Sequence, residues 1–492
     1  MKLTTVPLLQ DLPFEAAVPA DRVPRRRPRP GRPRTKDAPD GDGARLGPPA
    51  ASDEGVVTDW SLVVVLRRKA SELIARALAE HAETNGVAMP DVDRRLLGRS
   101  IVRQVVRDHA EDLSSNGQAL WPIALEHAYA EGVENAIFGY GRLQPLFEIP
   151  GAENIEIHGH DSVMVQFGDG RREPRPPVAD SDQELVEAIR FLGESVSPAR
   201  PFDDAHPTMT LALGDRFRLH AIGFGLSYRP SITIRQHILT DVSLKDLVAT
   251  GMLPAEVGRF LHSAVMARKS VIIAGDQGAG KTTLLRALIE AIPGNERFGT
   301  LETDYELLTH LRPNRRNMLA LQAKVGLGEQ QDGRRLGEYT VADLIPEALR
   351  QNLSRLVVGE VRGTEAGAMF EAMQAGAGTL STTHSHSAAS TMDRLASRVA
   401  QGGVLSVEEA FRQIAHHIHL LVYVKLVDDT WRGGRRTRMV AEIRQLTGAI
   451  EGGRPVTHLV YAAPTAISPA VFHPDPGFAA ELAEFDEAWD LP

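Results

Sequence analysis

Eight residues limit what this chain can fold into more than any others: Gly275-Asp276-Gln277-Gly278-Ala279-Gly280-Lys281-Thr282, followed by Thr283. They read G-x-x-x-x-G-K-T, the pattern of a phosphate-binding loop. Glycines let such a loop turn tightly and aim backbone N–H groups inward at phosphate oxygens. Lys281 supplies a cation for the β- and γ-phosphates, and the Thr282 hydroxyl can ligate Mg²⁺. The flanks agree with that chemistry. Val271-Ile272-Ile273-Ala274 reads as a buried parallel strand. Leu284, Leu285, Leu288, Ile289 and Ile292 recur at helical spacing until Pro293-Gly294 stops the helix. A phosphate bound there would meet a helix N-terminus, whose unpaired N–H groups and dipole favour anions. The pattern therefore predicts an α/β nucleotide-binding domain that takes a nucleoside triphosphate.

A chain of 492 residues has room for two or three domains with sizeable cores. Hydrophobic residues make up 42% and charged residues 24%, as in an ordinary soluble protein. A net charge of −9 argues against a chain that binds nucleic acid over its whole surface. With 0 cysteines, disulfides, thiolate metal sites and cysteine nucleophiles are excluded. No apolar run is long enough to span a bilayer, and no apolar signal core follows Met1. A cytoplasmic location is the expectation for an ATP-dependent protein.

Composition divides the chain. Residues 1–58 read as a disordered Arg/Pro-rich tail, with eight basic residues and no acidic one between Arg22 and Lys36. Such a run is either a solvated tail or a contact for a polyanion. Residues 59–137 carry Leu62, Leu66, Ile74, Leu78, Leu96, Leu97, Ile101, Val105 and Val106 at helical spacing, broken at Asn85-Gly86 and Pro90. A small helical segment is expected there. Residues 138–237 read as an α+β domain: strands around Ile155–His158, Ser162–Gln166 and Met209–Leu213, and a helix over Gln183–Leu192. Arg216, Arg218, Arg229 and Arg235 are its notable polar residues. A connector over 238–250 leads to the nucleotide domain, 251–465, and then to an acidic tail, 466–492, whose end, Glu481 to Asp490, reads as loosely held.

Within the nucleotide domain, Glu302, Asp304 and Glu306 could partner Mg²⁺ or water, or simply end an exposed strand. Residues 326–338 read as a mobile loop. Leu356-Val357-Val358 predicts a second buried strand, leading into Gly359-Glu360. Phosphate-loop enzymes place an acidic residue at the end of a neighbouring strand, close to the attacking water. Glu360 is the candidate for that role. A third strand, Leu380–Thr383, carries Thr383 and His384 to the same edge, where either can sense the γ-phosphate. His384 and His386 lack an evident third metal ligand. Ser406-Val407-Glu408-Glu409 predicts a capping box, and His416, His417 and His419 read as packing or surface residues. Alternation over 419–426, 437–446 and 455–461 predicts an antiparallel appendix to the sheet.

Together these segments resemble the type II/IV secretion ATPases, most closely the branch serving Flp/Tad pilus assembly. The resemblance covers residues 60–463. It rests on the phosphate loop, Glu302 to Glu306, Val358-Gly359-Glu360-Val361-Arg362-Gly363, and Thr382-Thr383-His384-Ser385. Arg218 in Phe217-Arg218-Leu219-His220-Ala221 and Arg235 in Thr233-Ile234-Arg235 also look like the family's. The resemblance implies a RecA-like motor that binds ATP and Mg²⁺, with Thr282 and Glu302 near the metal. It implies a homo-hexamer peripheral to the inner face of the cell membrane, working on an inner-membrane platform protein to assemble a pilus or export protein. In such motors arginines of the preceding domain, here Arg218 and Arg235, approach the nucleotide across the cleft. Three segments depart from the family pattern. Ala375-Gly376-Ala377-Gly378 stands where T-G-H-x-G is usual, Glu302-Thr303-Asp304 replaces adjacent Glu-Asp, and Ser385 replaces alanine. Two other readings share the same loop: a nucleic-acid motor for conjugative transfer, supported by the arginine run, and a non-catalytic nucleotide-gated scaffold.

Overall fold

The computed structural model describes residues 58–489 except 197–198, 215, 325, 327–329, 332–333, 362, 364, 376–377, 404 and 466. The arginine-rich run, Asp215, Arg362, Gly376 and Ala377 therefore lie outside the described residues, as do 327–329 and 332–333 of the 326–338 segment.

Three helices come first: α1 (Trp60–Asn85), α2 (Asp91–Ser115) and α3 (Ile123–Phe138). The Asp59 carboxylate caps α1 by accepting from Ser61 N–H, and Gly86 ends it in the left-handed conformation, φ 68°. Pro90 and Pro122 start the next two. Val63, Leu66, Val102, Val105, Val106 and Val133 form their shared core. Leu96 does not join it; that side chain points to solvent.

A short helix, α4 (Gln144–Phe147), leads into an antiparallel six-stranded sheet. Its strands are β1 (Ala152–His158), β2 (Val163–Phe167), β3 (Arg172–Arg175), β4 (Thr208–Leu213), β5 (Phe217–Ile222) and β6 (Ser231–Gln236), in the order β3-β2-β1-β6-β5-β4. Helix α5 (Asp182–Ser195) packs Leu185, Ile189 and Leu192 onto the face that carries Ile155, Ile157, Leu219 and Ile234. One face buried and one polar is the pattern that alternation predicts.

The connector is shorter than the sequence suggests. Helix α6 (Leu244–Ala249), capped reciprocally by Ser243 and Asp246, packs Leu244 and Leu247 into the core of the following domain. Beyond it come α7 (Ala255–Met266), β7 (Val271–Gly275), α8 (Lys281–Glu290), β8 (Phe298–Glu302), β9 (Met318–Gln322), the small hairpin β10 (Gln330–Gln331) and β11 (Arg334–Arg335), and α9 (Val341–Leu349). The chain continues through β12 (Arg355–Val358), α10 (Glu365–Ala375), β13 (Leu380–His384), α11 (Ala388–Gln401), α12 (Val407–His417), β14 (Leu420–Asp428), β15 (Arg436–Glu451) and β16 (Arg454–Ala462). It closes with β17 (Val471–Phe472) and α13 (Pro476–Ala483).

Apart from the β10–β11 hairpin, these strands form one sheet in the order β17-β16-β15-β14-β7-β13-β12-β8-β9, parallel from β14 to β9. The expected appendix is therefore only partly antiparallel, because its first strand, β14, lies parallel to β7 inside the main sheet. Val271 and Ile273 of β7 face a core shared with α7 and α8; Ile272 faces the opposite core with α10 and α11. A strand buried on both faces reads as an unbroken apolar run, as β7 does.

Two local expectations fail. Ser406 caps α12 by accepting from Glu409 N–H, but the Glu409 carboxylate turns to Arg412 at 2.9 Å, so the box is half made. Residues 476–489 are not a loose tail. Phe478, Leu482 and Trp489 are buried against α7, Ser263 donates to Asp486 at 2.9 Å, and Lys269 pairs with Glu481. Apolar anchors spaced among its acidic residues outweigh the charge.

Candidate active site

The phosphate loop leaves β7 between two strands and turns directly into α8. Gly275 cannot be replaced without moving a strand, since a Cβ there would lie 2.3 Å from the Val424 carbonyl oxygen. Lys281 opens α8 and is buried. Its Nζ donates to the carbonyl oxygens of Gly275 at 3.0 Å and Asp276 at 2.9 Å. The ammonium thus rests on its own loop, on partners a phosphate oxygen can replace.

Sheet register brings two further groups to the lysine. His384 pairs with Gly275 across β13 and β7, which places the imidazole beside the loop. His384 Nδ1 lies 3.2 Å from Lys281 Nζ, and its Nε2 lies 3.1 Å from a Glu360 carboxylate oxygen. The ring can accept from the ammonium through Nδ1, and its Nε2 edge stands beside the carboxylate at ion-pair distance. An ammonium–imidazole–carboxylate row therefore spans the tips of β7, β13 and β12. This corrects one expectation: Glu360 follows β12, which is not the strand next to β7, and the intervening β13 supplies the bridging His384. It also separates Thr383 from His384. The hydroxyl of Thr383 donates to Val361 O at 3.1 Å and that of Thr382 to Gly359 O at 2.8 Å, so both hold the Glu360 turn rather than face the loop.

Glu302 ends β8 on the far side of the same cleft and is 3% exposed. One carboxylate oxygen accepts the N–H groups of Glu306 at 2.9 Å and Leu307 at 2.8 Å. The other has no hydrogen-bond partner among the described residues. Burial pushes its carboxyl up to about 7, against the opposing pull of those two N–H groups. Thr282, Glu302, Asp304, Glu306 and Glu360 line one cavity, which Arg218 closes from the preceding domain.

Arg218, on β5, forks across the cleft to Asp304 at 2.6 Å and to Glu306. Arg235 stands directly opposite it on β6, so both lie on the same face of the sheet. Arg235 has no ion pair among the described residues and does not line the cavity. The other two arginines are elsewhere. Arg229 is pinned at the opposite end of the sheet between Asp161 and Asp182, and its guanidinium holds Asp182 well below the usual carboxylate range. Arg216 is exposed.

Of the other loop residues, Asp276 holds His386 at 2.8 Å on the surface, and Gln277 is exposed. Thr283 lies in the first turn of α8, partly buried. No cluster of three or more His, Asp or Glu able to hold a metal occurs among the described residues.

Two arginines escape a reading of the sequence. Arg286 follows two leucines of α8 and reads as its solvent face, yet it is 2% exposed. It donates to Glu306 O and, at 2.8 Å, to Leu239 O, tying the phosphate-loop helix to the acidic segment and the connector. Arg438, on β15, contacts the phosphate loop itself. Neither carries a local signal, because both act through contacts distant in sequence.

A sequence model of the type II/IV secretion system protein family matches residues 177–453, more than half of the chain. The chain belongs to that family. Its relatives include a putative conjugal transfer protein of Mycobacterium tuberculosis, 30% identical over 329 residues that cover 65% of this chain and 88% of the relative. The type IV secretion system protein VirB11 of Bartonella quintana is 29% identical over 330 residues, covering 64% and 87%. Among solved structures, the VirB11 ATPase of Brucella suis aligns with 62% of this chain and 96% of its own at 22% identity and a TM-score of 0.33. The strand order β14-β7-β13-β12-β8 is that of a RecA-like domain, here preceded by an α+β domain and a helical bundle.

Proposed function

We propose that this type II/IV secretion protein hydrolyses ATP as the motor of a pilus-assembly or protein-export machine, of the Flp/Tad kind. The observation that carries the reading is the convergence of Lys281, His384, Glu360 and the Arg218 fork on one cleft between two domains. Phosphates entering the loop would take over Lys281 Nζ from the carbonyls of Gly275 and Asp276. Glu360 then orients a water and accepts its proton as the water oxygen bonds to the γ-phosphorus and the bridging oxygen leaves with ADP. His384 holds that carboxylate in place and links its position to Lys281. Arg218 and Arg235 provide positive charge for the phosphoryl oxygens once the domains close further.

The cleft suits a magnesium ion. The orphaned, buried oxygen of Glu302 beside Thr282 is a donor pair of the hard oxygen type that Mg²⁺ requires. When bound, the ion neutralises charge on the β- and γ-phosphates.

The working unit we propose is a homo-hexamer at the cytoplasmic face of the membrane, acting on a membrane platform protein. Contact with the bilayer in this proposal is peripheral and through partners; among the described residues no helix is long and apolar enough to cross a membrane. Size measurement of the full chain with Mg²⁺ and ATP tests this: a sixfold particle is expected, and a monomer at saturating nucleotide rejects the ring. The conjugal-transfer relative favours a second reading, a DNA-transfer motor. ATPase stimulation by DNA that survives moderate salt would support that reading over the first.

A further inference from the structure

The far side of the phosphate loop is held by a residue from outside it. Arg438 lies on β15, opposite Leu426 of β14, and its side chain reaches over that strand to the loop. Its Nε donates to the Gly278 carbonyl at 2.8 Å. The rest of the guanidinium leaves the domain: one Nη donates to the Gly168 carbonyl at 3.2 Å, and the other to both Glu153 carboxylate oxygens at 2.6 and 2.8 Å. Glu153 lies on β1 and Gly168 in the turn after β2, so both belong to the preceding domain. A second contact fixes the same junction. Arg436 N–H donates to Asp169 O at 2.9 Å, and Gly170, at φ 92°, packs beneath the Arg436 stem.

A trans peptide is planar, so the carbonyl of Gly278 and the N–H of Ala279 point in opposite directions. Drawing that carbonyl outward turns the Ala279 N–H into the loop, where it makes only a long 3.3 Å contact with Asp276 O. An inward N–H with so weak a partner is available for a phosphate oxygen. The loop's donor geometry therefore depends on Arg438, and the position of Arg438 depends on Glu153 of the other domain.

We infer that Arg438 is a positioning residue that couples docking of the N-terminal α+β domain to nucleotide affinity by orienting the Gly278–Ala279 peptide. This rests on the nucleotide-binding reading of the loop. Domain movement that draws Glu153 and Gly168 away would loosen the peptide and weaken the hold on phosphate. Release of product would then follow the opening of the domains.

Titration of the purified full chain with a fluorescent ATP analogue, alongside steady-state hydrolysis, tests the assignment. Arg438→Ala should weaken nucleotide binding and raise KM by about tenfold or more, the scale of one charged hydrogen bond, with kcat within about threefold of the parent. Glu153→Gln, which leaves the loop contact in place and removes its anchor, should show a smaller shift in the same direction. Arg438→Lys should recover part of the affinity, because an ammonium can reach Gly278 but cannot fork to Glu153. Equal affinity in the parent and Arg438→Ala overturns the inference while leaving the motor reading intact. A fall in kcat at unchanged KM, the mark of a smaller folded fraction, also overturns it. Failure of the parent chain to bind the analogue removes both readings together.

Discussion

Glu302 shows how one side chain can be costly and useful at once. Its carboxyl is buried, donates nothing to the core, and leaves one oxygen unpartnered. Burial raises its pKa from 4.5 to about 7 in the folded chain. The unfolded chain therefore loses this proton first, and folding stability falls as pH rises from about 4.5 through 7, by up to about 3 kcal/mol. Glu302→Gln should flatten that slope, and thermal unfolding midpoints of both proteins between pH 5 and 8 (roughly the window in question) measure it. An identical slope in the two proteins would place the charge in a better-solvated site than the one described. The residue is legible in the sequence as an acid near a phosphate loop. Its burial is not, because that follows from Gly359 and Leu307 closing over it.

Elements, rather than single residues, decide what reaches the cleft. Strand β13 inserts between β7 and β12, the strands that lead to Lys281 and Glu360, and that insertion is why His384 touches both. The sequence marks β7 and β12 as short apolar runs bounded by turn residues, and β13 as a Leu-Ser-Thr-Thr stretch that follows Gly378. It cannot order them, because parallel neighbours are joined by long crossovers and any of several orders fits the same letters. The C-terminal element illustrates the opposite error. Acidic residues from Glu481 onward suggest a solvated tail, whereas Phe478 packs against Phe260 of α7 and Leu482, one helical turn on, joins the same core. Phe478→Ala should cost about 3 kcal/mol, the usual scale for emptying a buried aromatic site. The measurement is the thermal midpoint of the nucleotide domain, which should fall by several degrees. An unchanged midpoint would return the segment to the status of a tail.

At the scale of the molecule, the functional cleft belongs to neither domain alone. Arg218 crosses it to Asp304 and Glu306, Arg438 crosses in the other direction to Glu153, and Arg286 ties Glu306 to the connector. On the proposed reading, Arg218→Ala removes a cation that the closed state would offer to the γ-phosphoryl group, and Arg235 would have a similar role. Either change should lower kcat by ~10³ or more, with a smaller loss of nucleotide affinity. Wild-type rates in both mutants would confine the chemistry to the phosphate-loop domain. The most direct measurement of the motor reading is ATP hydrolysis by the full chain and by Glu360→Gln, with nucleotide binding recorded for each and Lys281→Ala as the blank. Glu360→Gln should bind nucleotide as the parent does and lose at least ~100-fold in turnover, the scale of a missing general base. Parental turnover in Glu360→Gln, or a parent no faster than Lys281→Ala, would contradict the reading.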